Sequence, residues 1–264
     1  MNSRQLRNLI SLLVVILVAV VGYFQSRQGG GGGGRTDACQ DEFRAGQPTS
    51  SVAGVRVLCR VEYVSLYDPA RKVPLVVGEY LRPDEFQGDV ERNDAFQPDP
   101  ELPAGQRAEL SDYQGSGLDR GHMAPAADFS SSETSMTESF YLSNMVPQNS
   151  TLNRGLWASL EAAARSCARQ QNGVYVLTGP VFQGRTRAIG PDKVAVPSSV
   201  YKIVVSGNEA RAWLVPNKAV SRSGLSRYAT TVDQLQQLSG LTFFPQGGVT
   251  TSAQGTFCAQ AFGS

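Results

Sequence analysis

Six consecutive glycines, Gly29 to Gly34, split this chain before anything else about it can be argued. A run without side chains has nothing to bury and loses more conformational freedom on folding than any other residue type, so it reads as a flexible tether. Whatever folds must lie to one side of it. Upstream, Asn8 to Ser26 are 19 positions without a charge, mostly Leu, Val and Ile, and Arg4 and Arg7 precede them. That pattern is a membrane anchor or a signal segment, and either one carries the remainder out of the cytoplasm. No Ala-x-Ala cleavage site follows, which favours an anchor. The expected division is therefore an anchor or signal over residues 1–28, a linker over 29–38 and one domain over 39–264, roughly 225 residues long. Expected locations are the cell envelope or periplasm, or secretion, with a mitochondrial address left open.

Cys39, Cys59, Cys167 and Cys258 are an even set in a chain that reads as exported, and two disulfides follow. Three pairings are open; the closeness of the first two favours Cys39–Cys59 with Cys167–Cys258. No Cys-x-x-Cys spacing supports a zinc cluster. The formal charge of +1 argues against a protein that coats nucleic acid, which lives by phosphate neutralisation. It leaves room for an enzyme, which needs only a local basic cleft.

Along the domain, residues 55–66 and 73–82 read as a hairpin turning at Asp68-Pro69. Residues 83–116 are polar and rich in Pro, Asp and Gly, and form a long surface loop. Phe140 to Pro147 reads as a buried strand. Ser150 or Thr151 can cap a helix running to about Gln171, with Gly173 ending it. Strands follow at 174–179, 199–206 and 209–215, and a short helix near 231–239. Strands that outnumber helices without regular alternation imply an α+β fold with a mainly antiparallel sheet.

The chain has one histidine, His122, within Asp119-Arg120-Gly121-His122. An arginine and a histidine two apart around a glycine suit an exposed strand end presenting a fixed cation beside a base that titrates near neutrality. A second polar cluster runs from Asn144 through Gln148 to Asn153 and Arg154, with Trp157 and Glu161 beyond. In a regular helix Asn153, Trp157 and Glu161 share a face at i, i+4 and i+8. Asn153 and Glu161 then lie about 12 Å apart along the axis, Glu161 leaning back towards Asn153. An amide oxygen with waters suits magnesium. Trp157 reads as core packing rather than a stacking platform, and Asn144 as an amide that burial obliges to find partners.

Asp-Arg-Gly-His followed by Asn-x-x-Pro-Gln-x-x-x-x-Asn-x-x-x-Trp-x-x-x-Glu resembles the DNA/RNA non-specific endonucleases of the ββα-metal class, which include secreted bacterial nucleases and endonuclease G. Tyr113-x-Gly-x-Gly, Phe140-Tyr-Leu-Ser-Asn and Leu177-Thr-Gly-Pro add to the resemblance, which runs from about Tyr63 to Phe182 and more weakly to Pro245. It implies an antiparallel sheet flanked by helices. It implies DNA and RNA as substrates, cut to 5′-phosphate products with one magnesium ion, for which manganese is a substitute. By position His122 would be the general base and Asn153 the direct metal ligand, with Glu161 holding a metal-bound water. Arg120 would contact phosphate with Gln148 and Arg154, Asn144 and Gln148 would order the site, and Arg92 would stabilise the transition state, with Arg82 its rival. Asp119 would brace the loop. The chain is expected to act as a monomer or homodimer. A serine hydrolase is disfavoured because no Gly-x-Ser-x-Gly elbow occurs. The non-enzymatic alternative is an anchored DNA-binding or uptake protein with an inactive nuclease fold, and it should have lost one of His122, Asn153 and Glu161.

Overall fold

The computed structural model describes Cys39 and residues 41–263. The anchor and the glycine linker expected over residues 1–38 lie outside these described residues. Among them no helix is long and apolar enough to cross a membrane.

In chain order the strands are β1 (Thr49–Ser50), β2 (Arg56–Cys59), β3 (Val64–Asp68), β4 (Val73–Leu81), β5 (Asp119–His122), β6 (Met145–Gln148), β7 (Val174–Val181), β8 (Arg187–Ile189), β9 (Val194–Val196), β10 (Ser199–Ser206), β11 (Glu209–Pro216), β12 (Ala229–Thr230) and β13 (Leu241–Thr242). Seven of them form one sheet in the order β12-β11-β10-β7-β4-β3-β2, every pair antiparallel. The helices are α1 (Leu110–Tyr113), α2 (Glu133–Ser139), α3 (Ser150–Leu152), α4 (Ala158–Gln171) and α5 (Val232–Ser239). The α+β class and the antiparallel sheet expected from the sequence are both present.

Successive side chains of a strand point to opposite faces, and the central strands β7 and β10 are covered on both. Val176, Val200 and Val204 pack on one side with Trp157 and Leu160. Leu177, Tyr201, Ile203 and Val205 pack on the other with Leu235 of α5 and Phe243. The sheet is thus the middle of three layers, and α4 with the β5–β6 pair forms the layer that carries the polar motifs.

Two expected strands break, each where a side chain far away in sequence takes hold. The stretch 55–66 is two strands that turn back at Arg60–Tyr63, where the Arg60 amide donates to the Tyr63 carbonyl at 2.9 Å. Arg60 is drawn inward there to a buried pair with Asp99 at 2.5 Å. The stretch 140–147 is a 3₁₀ turn, Leu142–Asn144, followed by β6. Both expected disulfides form, Cys39–Cys59 and Cys167–Cys258, with Cα atoms 5.6 and 5.4 Å apart.

Candidate active site

β5 and β6 pair Asp119 with Gln148, Arg120 with Pro147, Gly121 with Val146 and His122 with Met145. Glycine is required at 121 by contact: a Cβ there would stand 2.0 Å from Gln148 Oε1. The chain leaving β5 is held by Asn144. Its side-chain oxygen accepts from the Ala124 amide at 2.9 Å, and its Nδ2 donates to the carbonyls of Ala124 and Ser139 at 2.8 and 2.9 Å. Each buried backbone group stranded by losing that amide would cost about 1–3 kcal/mol. Asn144 and Gln148 are both fully buried, and neither lines the cavity described next. The expected substrate contact by Gln148 is therefore corrected: its side chain fills the space over Gly121. Asn144 braces the strand end that carries the histidine.

The helix bearing Asn153 is capped by Asn149, one residue before the expected start, whose side chain accepts from the amides of Thr151 and Leu152. It is not a regular α-helix. Asn153–Trp157 is a π turn with Gly155 at φ −113° and ψ −107°, and α-helical geometry resumes only at Ala158. In an unbroken α-helix, residues eight apart differ by about 80° around the axis. A turn widened by one residue, as i→i+5 bonding requires, takes back most of that offset. Asn153 and Glu161 consequently line the same cavity, and Trp157 between them is fully buried in the core, as expected.

That cavity has a volume of about 690 Å³ and is lined by Arg92, Arg120, His122, Asn153, Arg154 and Glu161, with Asp119 and Phe96 beside them. Arg82, the rival to Arg92, is not on its lining; it pairs with Glu85 at 2.5 Å. The orientation of the Asn153 amide is set by Asp119. Asn153 Nδ2 donates to Asp119 Oδ2 at 3.0 Å, so Oδ1 is the atom left for a cation. Arg154 grips the same carboxylate from two nitrogens, at 2.9 and 2.8 Å. Partial burial works against the charge on Asp119, but the hydrogen bonds from Arg154 and Asn153 hold its pKa below the usual range. Asp119 braces the site, as the sequence suggested, and in doing so it chooses the face of the amide.

His122 is buried, with its ring 5.6 Å from that of Phe96 and 5.1 Å from that of Phe140, which meets it edge-on. The Arg120 guanidinium lies 4.1 Å over the Phe96 ring, and that of Arg92 5.0 Å over Phe140. Two aromatic rings thus hold the base and both cations in register. Burial above all, then the charges of Arg92 and Arg120, lower the His122 pKa from 6.5 to about 3. The imidazole is therefore neutral at neutral pH, and its Nε2 is buried without a hydrogen-bond partner. Burial raises Glu161 to about 7 against the pull of Lys202. Lys202 is itself buried; it donates to Thr178 at 2.6 Å and lies 5.3 Å over the Trp157 ring. Among the described residues no group of three or more His, Cys, Asp or Glu gathers to hold a metal. The donors present are an amide oxygen aimed by Asp119 and a carboxylate on the same cavity, a sparse set of hard oxygens that fits a dication keeping most of its water.

Phe96 and Phe140 are the site residues that motif reading missed. Phe96 lies four places after Arg92 and Phe140 opens the Phe-Tyr-Leu-Ser-Asn stretch, but nothing local says that either ring meets the histidine.

Residues 43–248 match the profile of a family described as DNA/RNA non-specific endonuclease. The chain is 37% identical over 215 residues to mouse "Nuclease EXOG, mitochondrial", which covers 74% of this chain and 58% of that one. It is 39% identical over 203 residues to human "Endonuclease G, mitochondrial", covering 70% and 68%. It is 37% identical over 219 residues to "Nuclease C1" of Cunninghamella echinulata var. echinulata, covering 76% and 86%. Among solved structures, an endonuclease G bound to its inhibitor superposes with a TM-score of 0.74 at 27% identity, over 84% of this chain and all of that one.

Proposed function

We propose, from the premise that this chain belongs to the DNA/RNA non-specific endonuclease family, that it hydrolyses phosphodiester bonds of DNA and RNA without regard to sequence, leaving 5′-phosphates. The observation that carries the reading is the gathering of His122, Arg120, Arg92, Asn153 and Glu161 on one cavity.

His122 takes the proton of the attacking water, and its neutrality at working pH makes that possible. A base held to about 3 is weak; burial is the larger cause, but a docked phosphate offsets the lesser one, the charges of Arg92 and Arg120, so its basicity rises in part as substrate arrives. Arg120 and Arg92 supply fixed positive charge where the phosphate gains negative charge. Asn153 Oδ1, with Glu161 through water, would hold a divalent cation, magnesium in our reading with manganese as a substitute. Such an ion would supply stabilisation of charge on the phosphate and on the departing 3′ oxygen. Nothing here uses a 2′-hydroxyl, which is why DNA and RNA are both substrates.

Residues 39–264 form the nuclease domain in this proposal, and residues 1–38 its anchor or leader with a glycine tether. The two disulfides support an oxidising compartment outside the cytoplasm. Several relatives carry "mitochondrial" in their names, and an address facing an oxidising space there would satisfy the same chemistry. The test is incubation of the full-length protein with supercoiled plasmid and with single-stranded RNA, in magnesium or in chelator, beside His122→Ala. Cleavage of both polymers that needs the metal and falls by about 10² to 10⁴ without the histidine is expected. Folded His122→Ala cutting at the wild-type rate would refute the mechanism.

A further inference from the structure

The formal charge of the whole chain is +1, but the charge is not spread evenly around the cavity. Residues 83–101 hold seven acidic residues against the single Arg92, a net of −6, but Glu85, Asp94, Asp99 and Glu101 are already paired with arginines. From that segment Arg92, Asp94 and Phe96 reach the cavity wall. Residues 182–228 hold eight Arg and Lys against Asp192 and Glu209, a net of +6. Lys202 and Arg211 of that set are buried, while Arg185, Arg187, Lys193, Lys218, Arg222 and Arg227 are exposed. None of these six forms an ion pair among the described residues, whereas Arg60, Arg71, Arg82, Arg92, Arg107, Arg154 and Arg165 all do.

The basic segment is fastened to the helix that carries Asn153. Arg222 Nη2 donates to the Arg154 carbonyl at 2.8 Å. The stem of Arg222 lies over Gly155, where a Cβ would come within 3.2 Å of its Cγ. Asn217 accepts from the Asn149 amide at 2.8 Å, and its Nδ2 donates to the carbonyls of Pro147 and Pro197. Asn217 also lines a second open cavity of about 250 Å³, whose rim carries Arg185 and Arg187. Exposed cations therefore continue from Arg154 at the cavity mouth through Arg222 to Lys218 and on towards Arg185 and Arg187.

We propose that this segment is a one-sided track for the phosphodiester backbone. It would hold the substrate strand as it leaves the cleavage cavity past Arg154. The proposal rests on the nuclease reading above for its ligand, and charge complementarity identifies that ligand as a polyanion. The track also accounts for a nearly neutral protein handling nucleic acid: the cations are local, and acidic residues elsewhere, many of them in 83–101, cancel them in the total.

The test is metal-free binding of a labelled 20-base-pair duplex to the full-length protein in chelator, followed by fluorescence anisotropy across a salt series. Wild type is compared with R187Q/K218Q/R222Q, with R187Q and K218Q singly, and with R222K. The slope of log affinity against log salt should become shallower by about 0.9 for each phosphate contact removed, hence by about 2.7 for the triple variant. R222K should keep the wild-type slope, because it keeps the charge. The two single variants alter exposed side chains, so they give the same reading if the triple variant fails to fold. Slopes that match wild type in the folded variants would overturn the track. A wild-type protein that binds duplex with the full slope yet cuts nothing in magnesium would sink the catalytic reading and leave the track standing.

Discussion

Phe96→Ala should change the acid–base behaviour of a residue it does not replace. In the folded protein the His122 pKa is lowered from 6.5 to about 3, first by burial and then by Arg92 and Arg120. A difference of that size corresponds to about 5 kcal/mol of preference for the neutral ring. Phe96 forms part of the enclosure and also stacks Arg120 above itself. Removing the ring admits water and frees the guanidinium, so the imidazole should rise back towards its ordinary 6.5. His122 is the only histidine in the chain, so a single imidazole resonance followed by NMR from pH 3 to 8 reads the value without assignment. The unmodified protein should show a neutral ring at pH 5, where a histidine of ordinary pKa would be about 97% protonated. The acid limb of kcat/KM should move upward in Phe96→Ala in the same direction as the resonance. The same difference has a stability consequence. The unfolded chain binds the proton near 6.5 and the folded chain only near 3, so stability from this residue is intact above 6.5 and drains as pH falls between the two values. At pH 5 the loss is about 2 kcal/mol. A wild-type ring that titrates at 6.5, or a Phe96→Ala ring that does not move, would refute the argument that enclosure tunes the base.

Asn153→Ala should weaken magnesium activation far more than Glu161→Ala, which acts through water; titrating the metal in a cleavage assay checks this, and a wild-type response from Asn153→Ala removes the assignment. Cys258→Ala opens a loop closed across 91 residues and should lower stability by up to about 4.5 kcal/mol, measured by urea unfolding against the oxidised protein. Arg60→Met leaves Asp99, fully buried, without its cation and should cost about 3–5 kcal/mol in the same assay, whereas an exposed pair such as Arg92–Asp94 should cost under 1.

What could be read from the sequence was whatever is local. His122, Asn153 and Glu161 follow from motif spacing, and β7, β10 and β11 from apolar runs bounded by turn residues. The turn at Asp68 follows from its own side chain, which accepts from the amides of Ala70 and Arg71. What escaped was set by partners distant in the chain. Nothing around Arg60 announces that Asp99, 39 residues on, will pull it inward and end a strand. Nothing in 140–147 says that the Asn144 amide will be spent on Ala124, 20 residues back. The polar loop favoured Arg92 over Arg82 only on a weak motif match; of the two it is Arg92 that lines the cavity, its guanidinium 5.0 Å over the Phe140 ring, a contact no local pattern announces.

The π turn at Asn153–Trp157 makes the helix intolerant of changes in length that sequence alone would treat as neutral. A turn with one residue too many is an insertion already absorbed by the fold. Deleting Gly155 would let the segment relax towards a regular α-helix without removing any side chain, and because seven residues of such a helix turn through about 700° the carboxylate would still face the amide oxygen. Adding or removing one residue between Trp157 and Glu161 instead rotates the carboxylate by about 100° one way or the other, out of the cavity in either case. Two deletions of equal size, a few residues apart on one helix, thus have opposite consequences for the site.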